Sequence, residues 1–230
     1  MRKLLPALCL LFACRNNSKT EPAIADSIKA ESFTIGTKKI TIETATAADF
    51  NSLTGVNYGD SENVYLLKDE QFVKRKQDTL IFTLAGEKSR NFVSNKKDGD
   101  DFIAYDYKGR LATGQYVVLL SYYEGYAYML VNSITGDTTL LGGVPSLAPG
   151  KKLLISADAD LEASYSFNGI QLYAIDNNQL KRIGMIEPDN WGAEQVRWKN
   201  DTEILVKRLS RDTTKPNGGE KTDYIKLTIR

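Results

Sequence analysis

The chain has 230 residues, a formal charge of +1 from 30 Lys and Arg against 29 Asp and Glu, and no histidine. The missing histidines exclude Ser-His-Asp and Cys-His catalysis, and with both cysteines in the first fourteen residues they also exclude zinc held by His or Cys in the body of the chain. Near-neutral charge offers no long-range field for nucleic acid, and the lack of GxxxxGK[ST] and GxGxxG loops removes nucleotide cradles. No cofactor is expected, and only carboxylate, Tyr, Lys or Ser chemistry stays open.

The chain starts with Arg2 and Lys3, then a ten-residue apolar run from Leu4 to Ala13, then Cys14. This is the layout of an export signal over residues 1–13. It is too short for a permanent span, which needs ~20 apolar residues, and it contains Pro6. Residues Arg15 to Ser32 are rich in Asn, Ser, Lys, Thr, Glu and Ala and bury too little apolar surface to offset ordering, so 14–32 is expected to be an anchor and tether. Fully extended, the tether would reach about 60 Å.

Leu11-Phe12-Ala13-Cys14 resembles the bacterial lipobox, with Phe12 an uncommon middle residue. The resemblance implies cleavage before Cys14, acylation of its thiol with palmitate-type chains and attachment to a membrane through lipid. Arg15 stands where enteric inner-membrane lipoproteins carry aspartate, so the resemblance implies the outer membrane of a bacterial envelope.

From residue 33 to 230, short runs of Val, Ile, Tyr, Thr and Leu alternate with Gly, Asp and Asn clusters, the pattern of an all-β domain. The early strands predicted are Phe33–Gly36, Lys39–Glu43, Asn63–Leu67, Thr79–Leu84, Arg90–Ser94 and Phe102–Tyr107. One short helix is predicted over Thr46 to Leu53, with Thr46 as N-cap and Asp49 at its third position. Lys74-Arg75-Lys76 reads as a solvated strand edge, and Asp98, Asp100 and Asp101 around Gly99 as a turn.

A repeat follows. Gly125-Tyr126-Ala127-Tyr128-Met129-Leu130-Val131-Asn132 is echoed 44 residues later by Gly169-Ile170-Gln171-Leu172-Tyr173-Ala174-Ile175-Asp176, and each stretch runs into a turn. The spacing matches the ~40–45 residues of a four-stranded propeller blade. Within the repeat, Pro145-Ser146-Leu147-Ala148-Pro149-Gly150-Lys151 before the strand Leu153–Ala157 resembles the blade signature of TolB-like propellers, usually Pro-x-x-Ser-Pro-Asp-Gly-Lys. Gly150 is expected to take a positive φ in that turn. Propeller-like repeats are clearest over 115–209, and the body has room for about four or five blades, closed or as an open arc, with a β-sandwich as the alternative.

The candidate contacts are Tyr122, Tyr123, Tyr126 and Trp191, the tyrosines clustering about a hairpin and Trp191 lying in a Gly-containing loop, whereas Trp198 belongs to a strand core. Asp158, Asp160 and Glu162 alternate like the start of a calcium loop but lack its glycine and its closing glutamate, so no metal site is assigned to them. The expectation is a non-enzymatic envelope lipoprotein whose loops bind a protein or glycan. The alternative is a polysaccharide hydrolase using carboxylate or Tyr, with Glu124 and Asp158 as the residues to test.

Overall fold

The computed structural model describes residues 31–212, 214 and 219–230, so Cys14, the leader and most of the tether lie outside the described residues. Strands β1 (Ser32–Ile35) and β2 (Lys38–Thr44) form a hairpin at Gly36 and Thr37. The helices α1 (Ala47–Asn51) and α2 (Glu62–Lys68) follow. Next come β3 (Val73–Lys76), β4 (Thr79–Thr83) and β5 (Ser89–Val93), which make a three-stranded sheet. A four-stranded sheet is built in chain order from β6 (Ile103–Arg110), β7 (Tyr116–Tyr122), β8 (Gly125–Val131) and β9 (Thr138–Leu141). The next repeats that plan with β10 (Val144–Leu147), β11 (Leu153–Asp158), β12 (Gly169–Asp176) and β13 (Gln179–Ile186). The last sheet takes β14 (Trp191–Trp198), β15 (Glu203–Arg211) and β16 (Glu220–Ile229), then adds β2 and β1 from the start of the chain.

The protein is thus all-β, with four small antiparallel sheets that follow one another along the chain and no closed barrel, a layout consistent with a small or incomplete propeller-like fold or a sandwich. The 44-residue repeat is structural: β8 and β12 are both the third strand of their sheets. Three apolar cores join the sheets in succession. The first packs Leu80 and Phe82 against Tyr107, Tyr116 and Val118, and the second packs Val117 and Leu130 against Leu154 and Tyr173. The third packs Ile155 and Ile170 against Val196, Val206, Ile225 and Ile40.

Helix α1 forms where the sequence predicts it, by a capping box: Asp49 N–H donates to Thr46 Oγ1 at 3.1 Å, and Thr46 N–H donates to the Asp49 carboxylate at 3.0 Å. Its last turn is held by Arg197, which donates to Phe50 O and Leu53 O, both at 2.9 Å, with the guanidinium 4.1 Å above the Phe50 ring.

The predicted strand Asn63–Leu67 is instead part of α2. Its inward residues are Glu62, Tyr65, Leu66 and Asp69, a helical spacing in which two of four positions are charged, so the apolar pattern alone does not reveal it. Glu62 meets a β-bulge in β6 between Tyr107 and Gly109. There it accepts the Tyr107 N–H at 2.7 Å and both Nε and Nη2 of Arg75, while Arg75 Nη2 also donates to Tyr105 O. Arg75 is therefore an inward ion-pair partner rather than a solvated edge charge, with its side chain 19% exposed. Gly109, with φ of 107°, leaves room for the Tyr65 ring, which a Cβ would meet at 3.2 Å.

In the Pro149-Gly150 turn the left-handed residue is Lys151, φ 59°, and not Gly150. Gly150 is needed for a different reason: a Cβ there would lie 2.3 Å from the Asp201 carboxylate, which accepts the Gly150 N–H.

Removing Glu62 strands a half-buried guanidinium and a backbone donor together. Glu62→Ala should lower unfolding free energy by ~2–4 kcal/mol in denaturant titrations, whereas Lys96→Ala, which breaks the exposed Lys96–Asp78 pair, should leave the midpoint in place.

Candidate functional site: an aromatic edge and a polar groove

The β7–β8 turn carries Tyr122, Tyr123, Glu124 and Gly125. Strand alternation places Tyr126 and Tyr128 on the face toward the third sheet, their rings 6.3 Å apart and edge-on, with Tyr58 a further 5.8 Å from Tyr128. Tyr126 is 37% exposed, while Tyr128 is buried. Burial first, and then the Asp158 charge, push the Tyr128 hydroxyl up to about 12, so it stays protonated. Tyr122 lies on the opposite face, beside Tyr105, and so does not share a surface with Tyr126.

What joins Tyr126 instead is the β11–β12 loop. Asp160 organises it: Oδ1 accepts the N–H groups of Ala163 and Ser164, both at 3.0 Å, and Oδ2 accepts those of Tyr165 and Ser166 at 2.9 and 2.8 Å. Burial opposes ionisation of this carboxyl, but the four backbone donors outweigh it and hold the group below the usual carboxylate range. The loop then packs on the turn. Ser166 Oγ accepts the Tyr126 N–H at 3.1 Å, and Gly125 lies so near the Tyr165 carbonyl that a Cβ would stand 2.5 Å from it. The Tyr165 main chain thereby adjoins Gly125 at the turn, and both Tyr165 and Tyr123, at the tip of the turn, are 59% exposed.

Next to this edge runs a polar groove of about 500 Å³ between the loop and the segment Glu187-Pro188-Asp189, lined also by Arg211. Asn168 ties the two walls, donating through Nδ2 to Pro188 O at 2.6 Å and Trp191 O at 3.1 Å, and Arg211 donates to Leu161 O. Hydroxyls, carboxylates and a guanidinium lining a groove whose loop also carries the exposed Tyr165 suit a hydroxyl-rich ligand, whose hydroxyls bond the groove and whose sugar faces can stack on aromatics.

The sequence places Trp191 in an exposed loop, whereas it is the first residue of β14, half-buried against the third core with Arg208 5.9 Å over its ring. Trp198 is buried as expected, and its Nε1 donates to Ser146 O at 3.1 Å. Of the acidic trio, Asp160 has both oxygens taken by backbone donors, Glu162 is exposed, and Asp158 is only 8% exposed. Asp158 Oδ1 accepts the Ala159 N–H at 2.8 Å; the Tyr126 hydroxyl stands close to the carboxylate, but Oδ2 has no well-formed hydrogen bond. Glu124 lies on the exposed turn and Asp158 in the interior. Sequence reasoning missed Tyr165, because nothing in Asp160-Leu161-Glu162-Ala163-Ser164-Tyr165-Ser166 shows that the Asp160 carboxylate closes this loop on four backbone N–H groups.

Comparison with protein-family models, with curated proteins and with solved structures gave no match. Among the described residues no helix is long and apolar enough to cross a membrane.

Two outcomes test this geometry. Burial pushes the Asp158 carboxyl above its usual value, the Tyr126 hydroxyl and Ala159 N–H only partly opposing it, so its contribution to stability is full below the unfolded pKa and is lost as pH rises through the folded one. Asp158→Asn should therefore raise stability at pH 7 by roughly 1 kcal/mol and change little at about pH 3, read by denaturant titration at both. Trp198→Ala should cost ~3–5 kcal/mol and Trp191→Ala roughly 1–2, measured the same way.

Proposed function

We propose that this chain is a non-enzymatic binding module of the bacterial cell envelope, held by lipid on Cys14, that engages a glycan or a protein loop through Tyr123, Tyr126 and Tyr165 and the adjoining groove. The observation that carries the binding reading is the Asp160-closed loop seated on the β7–β8 turn, which brings the Tyr165 main chain against Gly125, next in the chain to Tyr126. Rigid aromatics lose little freedom on binding, which favours recognition over catalysis in a site whose one buried carboxylate, Asp158, is screened by Tyr126. The anchor rests on the run Leu4 to Ala13 and on Leu11-Phe12-Ala13-Cys14, and the absence of aspartate after Cys14 supports the outer membrane.

A glycan array probed with the purified protein should give hits that Tyr165→Ala and Tyr126→Ala weaken by about tenfold or more, with thermal midpoints little changed for the exposed Tyr165. Turnover of chromogenic glycosides abolished by Glu124→Gln would instead establish a hydrolase. The anchor is tested separately: a radioactive fatty acid should label the wild-type protein and not Cys14→Ser, which should leave the membrane fraction.

A further inference from the structure

The opposite end of the β6–β9 sheet from the tyrosine edge carries a second surface of different chemistry. Arg110, the last residue of β6, is exposed, and its guanidinium lies 4.6 Å from the Phe72 ring centre and 5.5 Å from that of Tyr116. Nε donates to Gly114 O at 3.3 Å, and among the described residues the two Nη groups have no hydrogen bond and no carboxylate partner. Asp69, whose charge reaches Tyr116 and Tyr107, is engaged by the Tyr107 hydroxyl at 2.8 Å and makes no ion pair with Arg110. Two rings and one carbonyl thus hold the flat cation with its outer nitrogens free.

Beside it opens a groove of about 370 Å³ whose apolar wall is Phe72, Leu84, Ala85 and Ile134. Ile134 is 54% and Phe72 37% exposed, an uncovered apolar surface next to an unpaired charge. Gln71, Thr83 and Ser133 also line the groove. An alkyl chain laid there would leave those polar groups unpaired, whereas a peptide carries amides to meet them. A guanidinium fork held by stacking matches a carboxylate in bidentate geometry and loses little freedom in doing so.

We propose that this groove binds the C-terminal carboxylate of a peptide ending in an apolar residue. The carboxylate bridges the free Nη groups of Arg110, and the terminal side chain covers Phe72 and Ile134. The site is independent of the tyrosine edge, since it lies at the other end of the same strands.

The test is a titration of the isotopically labelled protein, followed by backbone amide resonances, with acetyl-Ala-Leu-Phe as the free acid, the same peptide as its amide, and octanoate. The free acid should shift the amides of Leu84, Ala85, Ser133 and Ile134, and the amidated peptide should bind about tenfold more weakly or worse. Arg110→Met keeps a stem over the rings and should abolish the preference for the acid, while Ile134→Ser should weaken both peptides. Absence of shifts at these amides at millimolar peptide would overturn the proposal, as would equal binding of acid and amide or an undiminished acid preference in Arg110→Met. Octanoate binding as tightly as the peptide would overturn it in favour of a fatty-carboxylate site.

Discussion

The pairing of β2 with β16 is the constraint on which the rest of the molecule depends. It runs from Thr44 opposite Ile225 to Ile40 opposite Ile229, with Arg230 N–H donating to Lys39 O at 2.9 Å. Among the described residues all other sheet pairings join strands that follow one another in the chain, so they form locally and cheaply in loop entropy. This one brings the first hairpin of the described fold to its last strand. It also completes a core, since Ile35 and Ile40 pack with Ile225, Leu227 and Ile229 against Ile155 and Ile170 of the neighbouring sheet. Because α1 follows directly from β2, the same pairing places Phe50 where Arg197 can grip it.

The seam between the second and third sheets shows how directional bonds set the alignment that apolar contact leaves loose. Its middle is apolar, with Val117, Leu130, Leu154 and Tyr173. At one end Gln115 Nε2 and Asn132 Nδ2 both donate to Asn178 O, at 2.9 and 2.8 Å. At the other, Gly142 N–H donates to Gln171 Oε1 and Ser156 exchanges hydrogen bonds with Gly143. A slide of one sheet along the other would leave several buried polar groups unpaired at once, so the register is strongly specified. That register is what brings the Asp160 loop to the β7–β8 turn, and the tyrosine edge is a consequence of it.

Much of the fold was legible because local signals and global arrangement agree. The cap at Thr46 with Asp49 at the third helical position and the 44-residue repeat both appear where the residues indicate. The failures have a common physical cause: a charged or polar residue doing a job reserved in pattern reading for apolar ones. Glu62 and Asp69 form half of the inward face of α2, which hid the helix. Arg75 is consumed by Glu62 in a way no triplet of basic residues suggests. The candidate site was half legible. Tyr126 and Tyr128 share a face as alternation requires, but the separation of Tyr122 from Tyr126, and the arrival of Tyr165 from 39 positions further along, depend on how two sheets meet. The half-burial of Trp191 depends on the third core, formed by residues from three stretches of chain.

The hairpin β1–β2 has a mechanical meaning that static stability does not capture. The chain enters the described fold at β1, whose Ser32 pairs with Thr41 at the end of the hairpin away from its turn. Tension applied ahead of Ser32 would load that ladder one rung at a time, from Ser32–Thr41 toward Ile35–Lys38, instead of shearing all rungs together. Continued pulling would reach β2 at Lys38 and Lys39, beside the Ile40–Ile229 pair that closes the molecule. Under a pull from the N-terminal side, the closing sheet is thus the first element loaded, and its opening would release the array from its end inward.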